Sequence, residues 1–262
     1  MENWLIRTEL LLGKEKLEIL KKAHILVVGL GGVGAYTAEQ LCRAGIGKMT
    51  IVDGDVINSS NRNRQLAALS SLEGKHKAVI MANRLLDINP HLQLETITEY
   101  IKDERLTEII HSHNFDYVVD AIDTLSPKIY LIYQTVNAGL KLVSSMGSGG
   151  KMDPSKIHVA DISQTQFCPL ALLLRKRLHR LGIYTGFKAV FSTELIPENA
   201  VILNENEPNK KSTVGTISYM PPIFGCIAAS VVIRELLGET INSNLHIPHH
   251  VRKKAKETGK NS

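Results

Sequence analysis

The feature that most constrains the fold is a glycine-rich segment that joins a strand to a helix. Residues 24–28 are an apolar run with three β-branched side chains, which predicts a strand, and residues 33–44 follow a helical period. Between these patterns lie Gly29, Gly31, Gly32 and Gly34. Glycine allows positive φ and close backbone approach, and a helix N-terminus offers unpaired N–H groups to an anion. This context favours a nucleotide-phosphate site, and the alternative is tight packing of helix on sheet without a ligand.

The chain alternates between strand and helix patterns as far as residue 150. Further strands are predicted at 48–52, 92–96, 117–119 and 140–144, and helices at 75–88, 102–111 and 127–138. Two short helices are predicted before them, within residues 5–22. Such alternation is typical of a mostly parallel sheet with helices on both faces. We therefore predict an α/β, Rossmann-like, doubly wound fold with N-terminal helices.

The pattern changes after residue 150 and predicts a C-terminal α/β elaboration of the same domain. Strands at 157–162 and 188–191 flank a helix at 169–181, and an apolar helix at 224–237 closes the fold. No linker composition separates the halves, so we predict one nucleotide-binding domain over residues 1–240. Its nucleotide half extends to about residue 150 and its substrate half follows. Residues 241–262 are expected to be a basic, disordered tail.

Composition excludes several classes of protein. The apolar stretch 221–233 is shorter than the roughly 20 residues that cross a bilayer, so we predict a buried helix and no membrane insertion. The first residues show no secretory signal, and we expect a cytoplasmic protein. The three cysteines are widely spaced, which excludes a disulfide framework and a four-cysteine zinc site. We expect Cys42 and Cys226 to be core thiols, and an inert Cys168 is also preferred.

The net charge of +5 comes mostly from the tail, where residues 241–262 hold five Lys or Arg and one Glu. A second basic cluster lies in the helix predicted at 169–181 and comprises Arg175, Lys176, Arg177 and Arg180. These cations would suit the backbone of a nucleic acid while Ala171, Leu174, Leu178 and Leu181 form the buried face. The alternative is an ordinary amphipathic surface helix, and the tail has the simpler interpretation of a solvated end.

Polar residues follow the ends of the predicted strands. Asp53 ends the strand at 48–52, where a carboxylate accepts hydrogen bonds from ribose hydroxyls. Further candidates are Asp55, Asn61, Arg64, Lys77 and Asp123. The ends of parallel strands meet at one edge of a sheet, so we expect these residues to converge there. Two cations and a carboxylate suit a polyphosphate with Mg²⁺, because Arg64 and Lys77 would neutralise phosphate charge and Asp123 would bind the metal.

Each of these residues also has a simpler interpretation. Arg64 could be a solvated loop cation, Lys77 a residue on the helix surface, and Asp123 the N-cap of the next helix. A nicotinamide-dependent oxidoreductase and a non-catalytic nucleotide sensor are the alternative functions. The oxidoreductase is supported only by the glycines and Asp53. The non-catalytic sensor is disfavoured because the full set of polar residues is present.

In order and spacing these residues resemble the ubiquitin-activating-enzyme-like adenylyltransferases. The matching elements are the glycine segment, Asp53, Asp55, Asn61-x-x-Arg64-Gln65, Lys77, Ile88-Asn89-Pro90 and Asp120-x-x-Asp123. The resemblance implies ATP and Mg²⁺ as cofactors, and formation of an acyl-adenylate with release of pyrophosphate. It implies that Asp53 binds the ribose, Arg64 and Lys77 the phosphates, Asn61 the triphosphate and Asp123 the Mg²⁺. It also implies a homodimer in which Arg7 reaches the partner's ATP.

The second half resembles the tRNA threonylcarbamoyladenosine dehydratases of that superfamily. The matching elements are Ala121-Ile-Asp-Thr-Leu-Ser-Pro127-Lys128, Gly147-Ser-Gly-Gly150, Asp153-Pro154, Asp161-x-x-x-Thr165, Pro169-Leu170, the basic helix with Leu174-Arg175, and Val190-Phe-Ser-Thr-Glu194. The resemblance implies ATP-dependent cyclisation of threonylcarbamoyladenosine beside the tRNA anticodon, and it alone suggests a sulfur-relay protein as a partner. Cys168 departs from the Asp that is common in relatives. The alternative within the superfamily is adenylation of a ubiquitin-like sulfur carrier, but the paired zinc cysteines typical of that branch are missing.

Overall fold

The computed structural model describes residues 3–101, 103–203 and 212–242, so the predicted tail lies outside the described residues from 243 onward. Two short helices open the chain, as predicted: α1 (Ile6–Leu12) and α2 (Lys14–Lys22). Gly13 separates them with a φ of 83°, a conformation that residues with a Cβ rarely adopt.

The centre of the molecule is a seven-stranded sheet. Its strands are β1 (His24–Val28), β2 (Lys48–Val52), β3 (Gln93–Ile97), β4 (Tyr117–Asp120), β5 (Leu142–Ser145), β6 (Ile157–Asp161) and β7 (Lys188–Ser192). The order is β3-β2-β1-β4-β5-β7-β6, and all neighbours are parallel except β6, which pairs antiparallel with β7. We call the edge where the parallel strands end the carboxyl edge, and the opposite one the amino edge.

Helices cover both faces of the sheet, which confirms the doubly wound fold. They are α3 (Gly34–Arg43), α4 (Lys77–Ile88), α5 (Asp103–Ser112), α6 (Leu125–Asn137), α7 (Pro169–His179) and α8 (Met220–Leu236). Helices α3, α4 and α8 bury one hydrophobic core against the sheet, and α5, α6 and α7 bury a second on the other face. A small antiparallel hairpin, β8 (Val201–Leu203) with β9 (Ser212–Val214), was not predicted from the sequence pattern.

The strand order reverses between β1 and β4. The chain moves outward from β1 to β3 and then returns to place β4 on the other side of β1. A crevice opens at such a reversal, outside the carboxyl ends of the strands, and ligands of open α/β sheets bind there. The glycine segment follows β1 and Asp123 follows β4, so the fold brings both to the same crevice.

Some boundaries differ from the sequence prediction. Helix α4 begins at Lys77 because the two residues before it remain extended: Ile57 N donates to Lys75 O at 2.9 Å, and His76 bridges Val56. Helix α7 ends at His179, so the prediction that Leu181 belongs to the buried face is wrong, and 46% of Leu181 is exposed. Beyond α8, Ile241 is buried and its carbonyl accepts a hydrogen bond from Lys188 Nζ.

Helix α8 is the buried apolar helix predicted from the sequence, and it starts earlier, at Met220 with Pro221 in its first turn. Across the described residues, no helix combines the length and apolar character needed to span a bilayer. The prediction for Cys226 is wrong, because its position on α8 is exposed to solvent, whereas Cys42 and Cys168 are buried. An apolar helix still has one side that faces outward, and Cys226 lies on it.

Candidate active site

The glycine turn, residues 29–34, connects β1 to α3 at the crevice. Gly29 has a φ of 89°, and a Cβ there would lie 2.8 Å from Ala121 O. A Cβ on Gly34 would overlap Gly29 O, and one on Gly32 would lie 2.9 Å from Pro221 Cβ. These three glycines are therefore required by packing. Gly31 differs, because the nearest atom to its Cβ position is a side-chain nitrogen at 3.7 Å, which leaves this part of the turn open to a ligand.

Asp53 is tied to the glycine turn. One carboxylate oxygen accepts from Leu30 N at 2.6 Å and the other from Asp55 N at 2.8 Å. Burial raises the pKa of Asp53, and the positive charge of Lys77 and the two N–H donors oppose that rise. The carboxylate thus orients the turn and lies at its base. Ribose binding by Asp53 remains a prediction.

Asp55 and Lys77 form an ion pair beside Asp53. Lys77 Nζ lies 2.7 Å from Asp55 Oδ2, and the lysine is buried, which makes its interpretation as a surface residue of the helix wrong. Tyr100 OH donates to the other oxygen of Asp55, and this hydrogen bond is the main reason why the pKa of Tyr100 rises to about 12. Sequence reasoning missed Tyr100, because it lies 45 residues away in the sequence and only the return of the chain after β3 brings it here.

Asn61 and Arg64 shape the loop after β2. Asn61 Oδ1 accepts from Asn58 N at 3.1 Å, and Arg64 Nη1 donates to Ser60 O at 2.9 Å and to Asn63 Oδ1 at 2.8 Å. Gly32 faces this loop, because its Cβ position lies 3.4 Å from Arg64 O. The structure therefore places Arg64 next to the glycine turn, as expected. Its contact with phosphate remains a prediction.

Gln65, in the same loop, was not predicted as a site residue from the sequence. Among the buried side-chain oxygens and nitrogens in the described part of the chain, its oxygen is the one that has no hydrogen-bond partner. Its amide nitrogen is the nearest atom to the open position at Gly31. An unpaired buried acceptor is costly, and a donor from a ligand in the crevice would satisfy it. The signal in the sequence was its place directly after Arg64.

Asp123 is exposed at the carboxyl edge, in the segment between β4 and α6. A buried ion pair lies directly beneath it. Lys128 Nζ is 2.8 Å from Asp120 Oδ2, both side chains are fully buried, and the same ammonium donates to Ile122 O at 3.0 Å. Ser144 Oγ donates to Asp120 at 2.6 Å. This network fixes the backbone that carries Asp123. The described residues include no cluster of three or more His, Cys, Asp or Glu suited to a metal.

Arg7 is not brought to the crevice of its own chain. It is exposed on α1, and it lines a groove of about 370 Å³ with Thr8, Leu11, Leu12, Ala44 and Ile233. Ala44 follows α3, whose first residue belongs to the glycine turn, so the groove lies at the far end of that helix. Leu10 and Leu11 beside Arg7 are 80% and 83% exposed.

The basic residues of α7 lie in its second half and at its C-cap, and the chain after them returns to the amino edge, away from the crevice. Helix α7 spans 11 residues, and the loop after it is held at that edge by Gly186 N, which donates to Asp161 Oδ2 at 2.9 Å. Lys176, Arg177 and Arg180 are exposed. Arg175 is half-buried, and its guanidinium donates to Thr165 O at 2.6 Å. Burial lowers the pKa of Arg175. Three of the four predicted cations therefore face solvent.

A glycine turn at the switch point of a doubly wound sheet, with a strand-end carboxylate and adjacent cations, defines a nucleotide-binding α/β protein. The particular family follows from comparison with known proteins. The chain belongs to the ThiF family, whose model matches residues 5–259.

Several proteins that are similar over most of the chain are tRNA threonylcarbamoyladenosine dehydratases. The tRNA threonylcarbamoyladenosine dehydratase of Bacillus subtilis is 36% identical over 238 residues, which cover 88% of this chain and 93% of that protein. The Escherichia coli enzyme of the same name is 34% identical over 249 residues, with 88% and 92% covered. Its crystal structure with ATP has a TM-score of 0.81 at 33% identity and covers 91% of this chain and 96% of that one.

The alternative branch matches a smaller part of the chain. The molybdopterin-synthase adenylyltransferase of Haemophilus influenzae is 35% identical over 132 residues, which cover 50% of this chain and 52% of that protein. The similarity to this branch is therefore confined to about half of each protein, whereas the similarity to the dehydratases extends over both halves of the fold.

Proposed function

We propose that this protein uses ATP to dehydrate and cyclise threonylcarbamoyladenosine beside the tRNA anticodon, in the cytoplasm. The observation that carries the proposal is the similarity to enzymes of this name over both halves of the fold, including the substrate half. The crevice supports it, because the glycine turn, the Lys77–Asp55 pair and the unpaired Gln65 oxygen meet at one edge of the sheet. Adenylation of a sulfur-carrier protein is the less supported candidate.

The proposed reaction has two steps. An oxygen of the substrate carboxylate attacks the α-phosphorus of ATP, and pyrophosphate leaves. A protic nucleophile on the same side chain then attacks the acyl carbon and gives up its proton to solvent, and AMP leaves with the former carboxylate oxygen. The substrate thereby loses the elements of one water. The second step is intramolecular, and high effective molarity lowers its barrier by several kcal/mol.

Each crevice residue has a proposed part in binding. The N–H groups at the start of α3 and the cations Arg64 and Lys77 would bind the phosphates, and Asn61 would position the triphosphate. Lys77 would exchange part of its bond to Asp55 for a phosphate oxygen. Asp123 fits Mg²⁺, which commonly binds one or two carboxylates together with phosphate oxygens. Bound Mg²⁺ would neutralise charge on the triphosphate.

The direct test is mass spectrometry of nucleosides after the protein is incubated with ATP and tRNA that carries threonylcarbamoyladenosine. We expect loss of one water from that nucleoside and one AMP for each product. Arg64→Ala and Asp123→Ala should abolish ATP consumption with an unchanged circular dichroism spectrum. Retained turnover in either variant would refute the roles given to these two residues.

We also propose a homodimer in which Arg7 reaches the partner's ATP. The exposed Leu10 and Leu11 on α1 support it, because two copies would remove this apolar surface from water. Light scattering should give twice the chain mass, and Leu11→Asp should give monomers. In mixtures of Arg7→Ala with Arg64→Ala, each inactive alone, one crevice per mixed dimer keeps both arginines, so activity should return. Mixtures that stay inactive would contradict this arrangement.

The surface proposed for tRNA comprises Lys176, Arg177 and Arg180. Helix α7 is roughly 16 Å long, at a rise of about 1.5 Å per residue. An RNA that contacts both ends of this helix must therefore lie along it. Replacing Arg177 and Arg180 by glutamate should weaken tRNA binding and flatten its salt dependence. Affinity that stays unchanged at low salt would remove the RNA role from this surface.

A further inference from the structure

The substrate half contains a buried lysine that has no part in the roles described so far. Lys151 follows β5 in the loop 146–153, and only 2% of its surface is exposed. Its ammonium donates to the main-chain carbonyl of Glu194. No carboxylate lies within ion-pair distance of it among the residues that the structure describes. Burial lowers the pKa of Lys151. The Glu194 carboxylate acts on the ammonium only from beyond ion-pair distance. A buried ammonium without a direct ion pair is costly, so its position calls for an explanation.

Glu194, in the loop after β7, binds the loop that carries Lys151. Its carboxylate accepts from Met152 N and Asp153 N, each at 2.9 Å. These donors lower the pKa of Glu194 against the opposing effect of burial. Lys151 thus binds the backbone of the loop after β7, and Glu194 binds the backbone of the loop after β5. We call this reciprocal set, formed by Lys151, Met152, Asp153 and Glu194, the loop clasp.

The loop clasp lies at the carboxyl edge, next to the crevice. Strands β5 and β7 are neighbours there, on the side of β4 away from β1. Tyr219 OH donates to Met152 O at 2.8 Å, directly before α8 begins against the glycine turn. Two hydrogen bonds continue the connection: Gly150 N to Gly215 O at 2.7 Å and Asn63 Nδ2 to Thr216 O at 2.9 Å. The clasped loops are therefore linked to the loop that carries Arg64.

An acid that is to be adenylated must reach the α-phosphate from a side that the nucleotide leaves open, and the clasped loops lie beside the crevice, linked to the loop that carries Arg64. We propose that Lys151 and Glu194 are positioning residues, which hold these two loops as the wall that orients the substrate carboxylate. The inference rests on the proposed function. Displacement of a positioned group by about 1 Å can cost roughly a hundredfold in rate, so such a wall has to be fixed.

The test compares Lys151→Met, Lys151→Arg and Glu194→Gln with the wild type in the nucleoside assay. Lys151→Met keeps the length of the side chain and removes the donor. We expect kcat/KM for the modified tRNA to fall by about tenfold or more, with KM for ATP within roughly twofold of wild type. Lys151→Arg should restore part of the loss. Lys188→Met is the control, because Lys188 Nζ is part-buried and also donates to a main-chain carbonyl, Ile241 O at 2.8 Å, but at the amino edge.

The pH profile separates positioning from general stability. Burial lowers the pKa of Lys151, and the two titratable groups that face it, the Cys168 thiol and the Glu194 carboxylate, oppose that shift. The wild type should therefore lose kcat/KM at alkaline pH as the ammonium deprotonates, and Cys168→Ser should keep this limb. In Lys151→Arg this limb should move to higher pH, since guanidinium stays charged. Unchanged kinetics in Lys151→Met, or a loss that follows only its melting temperature and affects ATP equally, would overturn the inference. A wild type without turnover would overturn the proposed function, and this inference with it.

Discussion

Replacing Lys128 by methionine removes one partner of an ion pair that is wholly inside the protein. Both side chains are fully buried, and Lys128 Nζ lies 2.8 Å from Asp120 Oδ2. After the change, the donors to Asp120 that remain among the described residues are neutral: Ser144 Oγ at 2.6 Å and Ile122 N at 3.1 Å. Breaking a buried pair on one side leaves an uncompensated charge and costs about 3–5 kcal/mol. The melting temperature should therefore fall by roughly 6–20 °C, at about 2–4 °C per kcal/mol for a chain of this size.

The double variant Lys128→Met with Asp120→Asn tests the cause of this loss. It removes both charges, so the penalty for an unpaired carboxylate disappears. The double variant should therefore lose about 1–3 kcal/mol less free energy of unfolding than the sum of the two single losses. Urea unfolding followed by circular dichroism measures both values. If Lys128→Met costs less than about 1 kcal/mol, or if the double variant is no more stable than the sum of the single losses predicts, the charge argument fails.

The same variant should affect the crevice. Lys128 also donates to Ile122 O at 3.0 Å, and Ile122 directly precedes Asp123. Without this donor the segment that carries Asp123 loses its anchor, so ATP should bind more weakly in the presence of Mg²⁺. Isothermal titration well below the lowered melting temperature measures the affinity of the folded protein. Wild-type affinity for Mg-ATP in a folded Lys128→Met variant would show that the anchor is dispensable.

Three further predictions follow from local geometry. Gly34→Ala should disrupt the turn and lower the melting temperature, because the new Cβ overlaps the Gly29 carbonyl. Gly31→Ala should leave the melting temperature unchanged, because its Cβ position is open, and should weaken ATP binding in calorimetry. Burial lowers the pKa of His24 from 6.5, so the unfolded state binds its proton more readily, and the stability that His24 contributes should be present above that pH and lost as pH falls through the folded pKa. A urea midpoint that falls equally with pH in wild type and in His24→Gln would contradict this. Among the three thiols, Cys226 should react first with Ellman's reagent, since it alone is exposed, and a fast phase that persists in Cys226→Ser would be inconsistent with the fold.

The architecture of the nucleotide half could be predicted from the sequence. Strand and helix periods depend on neighbours within a few residues, and the glycine turn depends on a φ that glycine adopts with little strain. Parallel strands must end at one edge, so the approach of Asp53, Arg64 and Asp123 to one crevice also followed from the order of elements. Helix α4 begins at Lys77, two residues after the start predicted from the sequence, because a tertiary bridge keeps the residues before it extended.

Contacts between distant parts of the chain were decided only by the tertiary structure. Tyr100 meets Asp55, Lys128 meets Asp120, and Lys151 meets Glu194, and none of these pairs follows from a local period. The fold also turned Cys226 outward and left Lys176, Arg177 and Arg180 exposed to solvent. A sequence determines which side chains share one face of its own helix or strand. Which other element packs against that face depends on how the whole sheet is wound, and the partner of a buried charge is fixed only then.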